Sequence, residues 1–143
     1  MTRTHSADLA ALVLRIGLGT MYLAHSIVLK LATFGLPGTA KFFLAVGLPA
    51  WLAYATFAAE ALGGTLLILG VQARWVAAAL IPALLGAIIW VHAPNGWVFT
   101  AANGGWEYPA FLIVASVVQI LLGNGAYALD PLQAARPQSS PSH

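Results

Sequence analysis

"AWLAYATFAAEALGGTLLILGVQARWVAAALIPALLGAIIWVH", residues 50–92, holds two apolar runs, Ala50–Val71 and Trp75–His92, separated only by Gln72, Ala73 and Arg74. Each run is near the roughly 20 residues that carry a helix across a bilayer. Backbone amides in lipid must pair within their own segment, so both runs read as helices. A connection this short forces them into a tight antiparallel hairpin. The hairpin is not wholly apolar: Glu60 lies inside the first run and His92 closes the second.

Outward from the hairpin, Leu9–Leu29 and Tyr108–Tyr127 are runs of the same kind. Hydrophobic residues make up 60% of the 143 residues and charged residues only 7%, with mean hydropathy +0.84. A soluble domain carries about a quarter charged residues, and so few cannot cover a surface facing water. The pattern predicts an all-α fold, an integral membrane four-helix bundle forming one domain over residues 1–130. Between helices 1 and 2, "LPGTAKFFLAVGLP" (36–49) is too short to span and reads as a short interfacial helix bracketed by Pro37 and Pro49. The third connection, "APNGWVFTAANGGWEYP" (93–109), places Trp97 and Trp106 where headgroups would lie. Residues 131–143, ending in "RPQSSPSH", read as a disordered tail.

Several classes are excluded. A net charge of +2, scattered along the chain, does not suit nucleic acid. With no cysteine, the chain can run no disulfide relay. The N-terminus has a basic start and an apolar middle, but Arg15 interrupts that middle, so it reads as a retained helix rather than a signal peptide. Four helices put both termini on one face with Arg3, Arg74 and Arg136, opposite Lys30 and Lys41. The positive-inside rule then predicts a bacterial inner-membrane protein with cytoplasmic termini. Ala59, Gly63 and Gly64 on helix 2 suit close helix contacts. An Ala79, Ala83 and Ala87 ridge on helix 3 suits packing within the bundle or against a second copy, as a homo-oligomer. Pro82 is expected to kink helix 3.

Ionisable groups at bilayer depth cost about 2.5–3.5 kcal/mol each on insertion scales and persist where they face each other or a cavity. Rise per residue puts His25 and His92 at about the same height, ~24–25 Å from the terminal face, with Glu60 near ~16 Å and Arg15 near ~9 Å. Glu107 opens helix 4 at the outer level. On helix 1, Arg15, Tyr22, His25, Ser26 and Leu29 form one stripe. On helix 4, Tyr108, Leu112, Ala115 and Gln119 share a face. Arg15 is expected to pair with Glu60, either as a structural tie or to hold the carboxylate charged for proton exchange. His25 and His92 are candidate proton carriers, or else packed or interfacial residues. Glu107 can also act as an ordinary helix N-terminal carboxylate. Lys30 and Lys41 read as snorkelling interfacial residues.

Three chemistries fit such a set. One is a quinone headgroup held with Tyr22, Trp90, Glu107 and Tyr108. Another is a metal on imidazole and carboxylate ligands. The third is a b-type haem between His25 and His92.

"LRIGLGTMYLAHSIVLKL" (14–31), "FFLAVGLP" (42–49), "EALGGTLLILGVQAR" (60–74), "VHAPNGWVF" (91–99), "GGWEYP" (104–109) and "GNGAYALD" (123–130) together resemble the DoxX family of small four-helix membrane proteins. Ser26 departs from the pattern, which commonly has glycine after the helix-1 histidine. A side chain there either narrows the approach beside His25 or adds a hydrogen bond. The resemblance implies polar positions at Arg15, His25, Lys30, Glu60, Arg74, His92 and Glu107. It implies association with membrane oxidoreductases, and for other members metal-binding-peptide biosynthesis or chaperone and trafficking roles. The leading expectation is a quinone-interacting subunit alongside oxidoreductase partner subunits. A non-catalytic scaffold or assembly factor and a metal-handling protein stand beside it.

Overall fold

The computed structural model describes residues 3–130; the tail expected over 131–143 lies outside them. Regular structure among the described residues is helical. α1 (Arg3–Leu23) continues unbroken as a π-helical stretch over Ala24–Thr33. Then come α2 (Leu36–Ala45), α3 (Ala50–Leu69) and α4 (Ala73–Gly86). α4 continues as a π-helical stretch over Ala87–His92 and a 3-10 turn over Ala93–Asn95, and α5 (Glu107–Leu122) closes the order. Three continuous helices, Thr4–Thr33, Ala50–Leu69 and Ala73–Asn95, are long and apolar enough to cross a membrane; α5 is apolar but shorter.

Local chemistry sets the boundaries. α3 ends because Gly70 adopts a left-handed φ of 73°, and Val71 N–H returns to Leu66 O at 3.0 Å. Only glycine fits that position: a Cβ would stand 2.8 Å from both Ala128 Cα and the Arg15 guanidinium. Gln72, also left-handed, completes the tight α3–α4 turn. α5 stops at Leu122, short of Tyr127, because Gly123, Gly125 and Tyr127 all take positive φ. The segment 123–130 folds back across the helix ends instead. Asn124 Oδ1 accepts from Ala73 N–H at 2.8 Å, and Asn124 Nδ2 donates to Asp130. Ala126 N–H donates to Asp8 O and Leu129 N–H to Leu69 O, both at 2.9 Å.

α1 packs on α3 and α5, and α4 packs on α3 and α5, around a core of Leu18, Tyr22, Leu67, Ala77, Leu80, Leu84, Leu112 and Ala115. The α1–α3 crossing is close: a Cβ on Gly19 would meet Gly64 O at 2.6 Å. Gly63 faces Leu80 of α4 in the same way. α2 lies against α3 and the first π stretch, where Thr39 Oγ1 donates to Lys30 O at 3.1 Å. The outward surface is apolar: Val13, Leu62, Trp75, Phe111 and Leu121 are each at least 64% exposed. Water does not favour such a girdle, whereas acyl chains cover it. The chain is therefore built as a membrane protein.

Candidate functional site

Both π-helical stretches carry a candidate histidine. His25 lies in the first, and His92 ends the second. A π turn closes i→i+5 bonds and winds more slowly than an α turn, which brings the residue five along nearer the same face. Lys30 therefore stands below His25 and turns inward, while Leu29, expected on the inner stripe, is exposed. Lys30 Nζ donates to Glu60 Oε2 at 2.6 Å, with side-chain exposures of 14% and 10%. Lys30 is thus not a snorkelling residue. No sequence signal marks this position, because the five-residue spacing from His25 has meaning only once the π winding is known.

The expected Arg15–Glu60 pair does not form. Arg15 is fully buried near the C-terminal end of α3 and donates to Leu67 O (3.2 Å), to Ile68 O and to Ala126 O (2.7 Å). The last carbonyls of a helix lack partners within it and carry partial negative charge. A guanidinium forks across several at once. Glu60 is about 10 Å further along α3, too far to compete.

A cavity of about 90 Å³ lies between the helices, lined by Tyr22, His25, Lys30, Glu60, His92 and Tyr108 with Met21, Ala83, Leu84, Ala87, Pro109 and Leu112. His25 Nδ1 bonds Met21 O at 2.9 Å, and His92 Nδ1 bonds Gly104 O at 3.0 Å. The His25 ring stacks on Tyr108 with centroids 6.2 Å apart. Tyr108 Oη donates to Met21 Sδ at 3.3 Å. Tyr22 is 4% exposed, and its hydroxyl makes no hydrogen bond of good geometry. Ser116, the polar side chain beside it, already donates to Leu112 O at 2.8 Å. Ser26 donates to Tyr22 O at 2.8 Å, so this departure adds a hydrogen bond beside the site.

Other candidates lie elsewhere. Trp90 is 44% exposed and does not line the cavity. Gln119 sits at the far end of α5, where Nε2 donates to Gly123 O at 2.7 Å. Glu107 turns toward the loop and accepts from Phe99 N–H at 2.7 Å. It borders a second, more open hollow of about 580 Å³ with Trp97, Phe99, Ala110, Phe111 and Val114. Tyr108 lines both spaces and is the wall between them. Trp97 and Trp106 meet edge to face at 4.4 Å, and Glu107 N–H donates to Trp97 O, which fixes this loop on α5.

The cavity discriminates among the three chemistries. Sites for drug-sized ligands occupy about 300–1,000 Å³, so a porphyrin does not fit between His25 and His92. Among the described residues, no three His, Asp or Glu side chains gather closely enough to hold a metal ion. The cavity combines an apolar wall with a few hydrogen-bonding groups, namely Tyr22, His25, Lys30, Glu60 and His92.

These features define a class: a helical membrane protein with a small cavity between its helices. The chain belongs to the DoxX family, whose model matches residues 10–93 and so covers Arg15, His25, Lys30, Glu60 and His92. It is also similar to "Putative oxidoreductase CatD" of Bacillus subtilis (strain 168), at 33% identity over 127 residues, covering 88% of each chain. No solved structure matches.

Proposed function

We propose that the protein binds the ring headgroup of a quinone-type redox lipid in the cavity beneath Tyr108 and works as a subunit of a membrane oxidoreductase. One observation carries this reading. Two imidazoles, an ion pair and a buried tyrosine hydroxyl without a good partner line one small cavity between the helices. Intramembrane ionisable groups mark proton and substrate pathways by default. The relative named as an oxidoreductase supports the redox setting.

In this reading Glu60, paired with Lys30, forms a proton-exchange site with His25 and His92. Tyr22 offers its hydroxyl to a ligand oxygen. Tyr108 separates the chamber from the outer apolar hollow, through which a lipid-soluble molecule approaches. Arg15 ties α1 to α3 and takes no part in proton exchange.

α1 with its π extension, α3, α4 with its extension, and α5 would cross a bacterial inner membrane as a four-helix bundle. Both termini and Arg74 would face the cytoplasm, following the excess of arginine at that end. α5 covers only about 24 Å of the ~30 Å hydrocarbon core. The tryptophan-bearing loop before it and the folded-back segment 123–130 would complete the crossing.

The test is purification from native membranes with lipid retained, followed by mass spectrometry of the bound lipid. Wild-type protein carrying a quinone, depleted in Tyr22→Phe, supports the reading. Wild-type protein carrying none overturns it.

A further inference from the structure

The two histidines decide which form of a ring ligand the chamber favours. A carbonyl oxygen only accepts hydrogen bonds. His25 Nδ1 contacts Met21 O at 2.9 Å and His92 Nδ1 contacts Gly104 O at 3.0 Å, so in both rings Nδ1 carries the proton. The neutral imidazole then has a bare lone pair at Nε2. Neither Nε2 has a partner among the described residues, and both rings line the same cavity. Glu60 adds a third acceptor, because Lys30 occupies Oε2. The donors present, Tyr22 Oη and the remaining ammonium protons of Lys30, suit the oxygen of either a carbonyl or a hydroxyl. The acceptors discriminate.

We infer that the chamber selects the reduced, dihydroxy form of its aromatic ligand, with ring hydroxyls donating to His25 Nε2 and His92 Nε2. This inference rests on the quinone-type reading above. A quinone carbonyl brings no proton and leaves imidazole lone pairs facing it unmatched. A hydroxyl both donates to an imidazole and accepts from Tyr22 or Lys30. A buried polar atom left without its partner costs enough to read as about a tenfold difference in affinity.

Two probes of one carbon skeleton, differing only by two hydrogens, separate the cases. Full-length protein in lipid nanodiscs is titrated calorimetrically under nitrogen with tetramethylhydroquinone, and separately with tetramethylbenzoquinone. The hydroquinone is expected to bind at least about tenfold more tightly. His25→Asn and His92→Asn keep an amide N–H for the backbone carbonyl but lose the Nε2 acceptor. Each is expected to remove most of that preference while the unfolding temperature stays near wild type. Nitrogen-15 shifts of the imidazoles provide a readout independent of the variants: protonated Nδ1 with bare Nε2 supports the assignment, and the opposite tautomer overturns it. Equal or tighter binding of the quinone overturns the selection and leaves the quinone-type reading standing. Binding of neither probe overturns both.

Discussion

Lys30 and Glu60 meet at 2.6 Å across the junction between the π-helical end of α1 and the middle of α3. Neither side chain is more than 14% exposed, so each charge depends on the other. Lys30→Met and Glu60→Gln alone should each lower stability. The double variant should fall short of the sum by about 1–3 kcal/mol. Thermal unfolding of the four proteins in one detergent measures this coupling; strict additivity would mean that the pair is not a pair.

Arg15 should behave as an independent element. It holds two carbonyls at the end of α3 and Ala126 O of the folded-back segment, and touches neither Glu60 nor Lys30. Arg15→Met should cost about 2–4 kcal/mol, because hydrogen bonds to a charged donor are worth about 1.5–3 kcal/mol each and the carbonyls of Ile68 and Ala126 are left partly buried without that donor. Combined with Glu60→Gln, its effect should add to within about 0.5 kcal/mol. A coupling above 1 kcal/mol in the same unfolding assay would show an arginine–glutamate link and contradict the separation of the two groups.

The α1–α3 crossing provides a paired test on one helix. Gly19→Ala places a methyl 2.6 Å from Gly64 O and should destabilise by about 1–3 kcal/mol. Gly17→Ala, two residues earlier, meets nothing within 4 Å. It should be neutral, or stabilising by up to about 1 kcal/mol through helix propensity. Unfolding midpoints that rank the two in the opposite order would misplace the crossing.

Tyr22→Phe should separate stability from binding. Its hydroxyl is buried without a good partner, so removing it should leave the unfolding temperature unchanged or raise it. Ring-ligand affinity should meanwhile fall about tenfold. Loss of stability with unchanged affinity would mark Tyr22 as a packing residue.

The long apolar helices were legible because hydrophobic length reads directly as helix in lipid. Counting rise per residue also put His25 and His92 at one level, and both line one chamber. What stayed hidden was winding. A stripe drawn at the α-helical period put Leu29 inside and Lys30 at the interface; π winding exchanges them, and no composition signal announces it. The partner of Arg15 was hidden for another reason. A sequence displays carboxylates openly, but it does not display where the last carbonyls of a helix will point. The end of α5 is not legible either, because "GNGAYALD" continues an apolar run while its glycines and Tyr127 turn left-handed.

A density map of the full chain, prepared with its native lipids and never fully delipidated, tests the central claim most directly. The account predicts a flat, ring-sized feature between the imidazoles of His25 and His92, within hydrogen-bonding reach of Tyr22 Oη. A chamber holding only water, or a ring-shaped feature seated elsewhere on the molecule, would contradict it.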